Sequence, residues 1–60
     1  MNLPHVRIQH AKPGEVLTDP DGCRWTRTED GAFVEWVSGY RTEWRVKELA
    51  EAERKFGPFK

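Results

Sequence analysis

Cys23 is the one cysteine in a chain of 60 residues, so no disulfide within the chain can staple the fold. No cluster of Cys and His offers a structural zinc site either. A domain this small hides only about 60% of the surface its unfolded chain exposes. Stability must therefore come from dense packing of large side chains or from self-association. The material for packing is present: three Trp, three Phe and one Tyr. The length allows one domain spanning 1–60, with residues 1–4 expected as a loose end. It also argues against an enzyme, because a core and a substrate pocket compete for the same few side chains.

Charge narrows the partners. Ten Lys and Arg balance ten Asp and Glu, for a net charge of zero. A nucleic-acid binder ordinarily carries a basic excess, since neutralising phosphates supplies most of its affinity. A lone cysteine suits a reducing cytoplasm. The opening Met-Asn-Leu-Pro-His lacks the pattern of a signal peptide. No apolar run approaches the roughly 18 residues of a membrane span. The expectation is a cytoplasmic protein with no membrane partner.

Turn signals divide the chain. Lys12-Pro13-Gly14, Asp19-Pro20-Asp21-Gly22, Asp30-Gly31 and Ser38-Gly39 each join a φ-restricting or hydrogen-bonding residue to a glycine, or place a glycine after a small polar one. Between them run short alternating segments: Glu15 to Thr18, Cys23 to Thr28, Ala32 to Val37, and Tyr40 to Val46. Val6 and Ile8 alternate with polar neighbours and suggest one further short strand. From Lys47 to Phe56 the residues are good helix formers, with Gly57 and Pro58 as a stop signal. The predicted fold is α+β: a small antiparallel sheet of three to four strands with one C-terminal helix. A small SH3-like barrel is the alternative, should the strands curl closed.

A two-residue turn at Asp30-Gly31 would set Trp25 opposite Trp36 and Arg27 opposite Val34. A two-residue turn at Ser38-Gly39 would set Tyr40 opposite Val37, Trp44 opposite Phe33 and Arg41 opposite Trp36. One sheet face then holds Phe33, Val37, Tyr40 and Trp44. The other holds a Trp25–Trp36 pair with Arg27 and Arg41. The helix follows Trp44 and Val46, so it should fold back on their face. The predicted core is Phe33, Val37, Tyr40, Trp44, Val46, Leu49 and Phe56. The predicted contact surface is Trp25, Arg27, Val34, Trp36 and Arg41.

Other candidate chemistry is weaker. Asp19-Pro20-Asp21-Gly22 resembles part of a calcium loop but lacks the distal Glu, and reads as a turn. Cys23 has no catalytic His in sequence reach and reads as a buried strand residue. His5 and His10 have no metal-ligand spacing. Glu29, Asp30 and Glu35 read as a charged turn, because acid–base work needs a pocket. No cofactor and no metal are predicted. Glu51 and Lys55 form a favourable i,i+4 pair on a solvated helix face.

Arg residues interleaved with Trp read either as a small core with solvated Arg side chains lying over Trp rings or as a binding surface. Protein interfaces are enriched in Trp, Tyr and Arg at their energetic centres. Single-strand nucleic-acid binders use the same residue types, but the acidic Glu29, Asp30, Glu35 and Glu43 oppose a phosphate groove. The leading expectation is a non-enzymatic protein-binding module. The alternatives are single-stranded nucleic-acid binding by the same residues, and a homo-oligomeric structural protein with a homodimer as its simplest form.

Three stretches carry a family resemblance: Gly14 to Gly22 with Trp25-Thr26-Arg27, then Asp30-Gly31, then Trp44 with Leu49 and Phe56-Gly57-Pro58. Together they resemble the short uncharacterised accessory proteins of actinobacterial phages, over residues 14–58. The spacing from Trp44 to Leu49 is longer here than in that pattern. The resemblance implies a phage accessory product in the host bacterial cytoplasm. It implies action by binding host or phage proteins, with host modulation or toxicity as the outcome. It brings no catalytic residues.

Overall fold

The computed structural model describes residues 7–60. Four strands form an antiparallel meander in the order of the chain: β1 (Val16–Thr18), β2 (Arg24–Thr28), β3 (Gly31–Glu35) and β4 (Arg41–Arg45). A 3₁₀ turn, Val46–Glu48, leads into the helix α1 (Leu49–Phe56). The α+β architecture follows the turn signals closely. β1 and β4 lie at opposite ends of the sheet, so it stays open and does not close into a barrel. The strand suggested by Val6 and Ile8 is not formed at Ile8, which sits in a 3₁₀ turn, Ile8–His10. Val6 and the proposed loose end at residues 1–4 lie outside the described residues.

Two hairpins depart from the expected registers. In the first, Thr28 pairs with Gly31, so Glu29-Asp30 is the two-residue connection and Gly31 opens β3. Gly31 is needed for closeness, because a Cβ there would overlap the Trp44 carbonyl oxygen across the β3–β4 ladder. Trp25 now faces Val34, two positions from the expected partner. A shift of two leaves both residues on the same face.

The second departure is a shift of one. The Trp36 amide donates to the Tyr40 carbonyl, and the Gly39 amide donates to the Trp36 carbonyl, both at 2.8 Å. Gly39 has φ +87°. The loop is therefore Val37-Ser38-Gly39, a three-residue turn with glycine in the left-handed position. The extra residue places Trp44 opposite Ala32 and Arg41 opposite Glu35. A one-residue slip moves every side chain of a strand to the other face. Trp44 thus joins Trp25 and Trp36, and Arg41 leaves them.

The inner face now gathers the aromatics. Trp25 is fully buried at its centre, with ring centroids of Trp36, Trp44, Phe56 and Phe59 at 6.0, 5.7, 5.5 and 5.0 Å. Leu17, Cys23, Ala32 and Val34 complete the sheet side of the core. Leu49 and Ala52 from α1, Ile8 and Ala11 from the amino-terminal segment, and Phe59 cover it. The expected core is corrected accordingly. Leu49 is fully buried and Trp44 and Phe56 pack against the core, whereas Val37 and Tyr40 are 88% and 69% exposed. Phe33 is half-buried on the opposite face, and Val46 is exposed at the helix approach.

Candidate interaction face

The inner face is closed by polar contacts as well as by packing. Asp19 is the buried charged residue among those described. Its Oδ1 accepts the amides of Asp21 and Cys23 at 3.0 and 2.9 Å, and its Oδ2 accepts the Trp25 indole N–H at 2.9 Å. Gly22, at φ +89°, lets the chain turn tightly enough for the first two bonds. The Asp-Pro-Asp-Gly segment is thus a turn whose first carboxylate satisfies a buried indole, which can only donate. Sequence reasoning placed the turn but not this bond. The available signal was a buried Trp in need of an acceptor, with an Asp six positions earlier.

Of the five expected contact residues, Trp25 and Val34 are fully buried and have no surface to offer. Trp36 is half-buried, with its indole N–H donated to Thr42 Oγ1 at 2.7 Å. Arg27 is also half-buried. Its Nε donates to the Ala11 carbonyl at 3.0 Å, and its Nη1 donates to the Thr28 and Gly31 carbonyls. It ties the amino-terminal segment to the first hairpin. The face expected to meet a partner is thus the face the chain uses for its own core. The cause is the β4 slip, which brought Trp44 and then α1 onto that side.

Arg41 alone of the five is exposed, and it stands on the outer face. There its guanidinium carbon lies 4.0 Å from the centroid of the Phe33 ring. Phe33 sits mid-sheet, between Thr26 of β2 and Glu43 of β4. Beside it runs a cross-strand row of Thr18, Arg24, Glu35 and Arg41. Arg24 and Glu35 pair at 3.9 Å. Among the described residues, no carboxylate lies within ion-pair distance of Arg41. A cation stacked on an aromatic in water is worth about 0.5–1 kcal/mol. None of the described elements packs on this face. Sequence reasoning missed Phe33 as a surface residue because it assigned that ring to the core.

Three further observations bear on function. Among the described residues, no group of three or more His, Cys, Asp or Glu side chains is placed to hold a metal ion. No helix among them is long and apolar enough to cross a membrane. No family model, curated protein or solved structure matches the chain.

Proposed function

We propose that the chain is a non-enzymatic protein-binding module that acts by occlusion through the outer face of its sheet. Phe33 is the apolar anchor and Arg41 the charged rim. The observation that carries this reading is the Phe33–Arg41 stack, centred on a face that no described element covers. Aromatic and arginine side chains dominate binding energy at protein interfaces when a partner removes them from water. Among the described residues no carboxylate pairs with Arg41, so the complementary partner surface is apolar with an acidic edge. The resemblance to actinobacterial phage accessory proteins supplies the setting: the bacterial cytoplasm, with a host protein as the partner and altered host growth as the consequence.

The test is capture from a bacterial lysate with the wild type, Phe33→Ser, Arg41→Glu and the remote control Lys47→Ala, each verified as folded by circular dichroism. A protein held by the wild type and the control, and lost by the first two variants, is the expected result. Retention should change little between about 50 and 200 mM salt, over which a phosphate-tracking contact loses orders of magnitude in affinity. The reading fails if no captured protein depends on Phe33. It fails equally if capture is abolished by nuclease, which would favour single-stranded nucleic acid.

A further inference from the structure

The two edges of the sheet are treated differently by the fold. On the β1 side, Thr18 and Lys60 exchange both backbone bonds at 3.0 Å, so the carboxy-terminal residues close that edge. On the β4 side, no described backbone segment lies beyond the strand. Antiparallel ladders alternate hydrogen-bonded and non-hydrogen-bonded pairs. The Trp36-to-Tyr40 and Val46-to-Asp30 bonds set the phase: Thr42 and Trp44 turn their backbone groups toward β3. Arg41, Glu43 and Arg45 turn theirs outward. The Arg45 amide is already taken, donated to Glu48 Oε1 at 2.8 Å. The free edge is therefore the N–H and C=O groups of Arg41 and Glu43.

We infer that this edge pairs with a second copy of the chain, β4 against β4, about a two-fold axis at Thr42. Arg41 then stands opposite the partner subunit's Glu43, and Glu43 opposite the partner subunit's Arg41. Both pairs lie on the outer face. Opposite charges directly across a ladder favour pairing and like charges oppose it. Moving the axis to Glu43 would set two glutamates face to face and Arg41 against an arginine, and moving it to Arg41 would set two arginines face to face. Moving it to Trp44 would require the Arg45 amide that Glu48 holds. Charge and hydrogen-bond supply thus select one register. A two-fold axis normal to the sheet makes one continuous eight-stranded sheet, with both Phe33–Arg41 stacks on the same side. The inference rests on the edge alone and holds whether or not the outer face binds a foreign protein.

Few residues meet, so the dimer is weak. Sedimentation of the full chain, over a series reaching about 1 mM, should show concentration-dependent dimers. Glu43→Pro removes an outward N–H that the β3 ladder does not use, a position where an edge strand tolerates proline. It should abolish the dimer while circular dichroism stays unchanged. It also leaves Phe33 and Arg41 in place, so its monomer should still capture whatever the outer face binds. Arg41→Glu and Glu43→Arg should each weaken self-association by about tenfold or more, and an equimolar mixture of the two should dimerise again. A wild type that stays monomeric throughout overturns the inference, as does a Glu43→Pro variant that still dimerises. Stronger dimers from Arg41→Glu would overturn the register, since they would report the axis at Glu43.

Discussion

Val34 and Phe33 are neighbours in sequence and belong to opposite economies. Val34 points into a face where five aromatic rings, a helix and both described chain ends converge. Phe33 points to the other face, where the Arg41 guanidinium stacks on its ring. The contrast shows how a chain without cross-links spends its aromatics. Sealing a single side of a four-stranded sheet consumes all three Trp, together with Phe56 and Phe59. The aromatics left outside that core are Phe33 and the hairpin-tip Tyr40, beside the exposed Val16, Val37 and Val46. Aromatic density in so small a domain therefore marks the interior, and a binding surface is better sought where one ring is left behind.

The sharpest way to break the contrast is to remove the central ring of the sealed face. Trp25→Ala deletes a fully buried indole that touches four other rings. Substitutions of this kind cost about 3–5 kcal/mol. Small domains have total stabilities near the bottom of the roughly 5–15 kcal/mol range. The expected outcome is a variant left with about 0–2 kcal/mol of stability, read as a urea midpoint and a melting temperature far below those of the wild type. Wild-type stability in this variant would mean that the inner face is not the core.

A smaller effect separates packing from hydrogen bonding on the same face. Asp19→Asn keeps an oxygen for the Asp21 and Cys23 amides at the Oδ1 position. It then turns an amide N–H₂ toward the Trp25 indole N–H, which loses its acceptor. A buried donor left unpaired costs about 1–3 kcal/mol. Urea denaturation should show the midpoint falling with an unchanged slope. Asp19→Ala, which strands the two amides as well, should fall further. Equal stability of the Asn variant and the wild type would show that the indole bond contributes nothing.

The legible part of the fold was the part written in local chemistry. Alternation marked β2 and β4, and the Gly57-Pro58 stop marked the helix end. The expectation that α1 would cover the face bearing Trp44 also holds. What local chemistry did not carry was which face that would be. Ser38-Gly39 suits a two-residue loop and a three-residue loop equally well, since both put glycine at positive φ. The choice moves β4 by one residue and exchanges Trp44 for Arg41 between faces. The site was lost through that single ambiguity. Arg41 was identified as a contact residue on the wrong side of the sheet, and Phe33 was assigned to a core it does not enter.

The smallest expected effect is the one that tests the open face. Phe33→Ser removes a half-buried ring, with the roughly 0.5–1 kcal/mol of its arginine stack and part of its burial. No cavity forms, because water already reaches the face. A loss of about 1 kcal/mol lowers the melting temperature of a domain this size by about 4–8 °C. The fall in melting temperature of Phe33→Ser should therefore lie within that window, far smaller than that of Trp25→Ala. A loss as large as that of Trp25→Ala would mean that Phe33 is covered in solution. Comparing that loss at low and high protein concentration would then separate cover by a second copy from cover within one chain, because only the former is relieved by dilution.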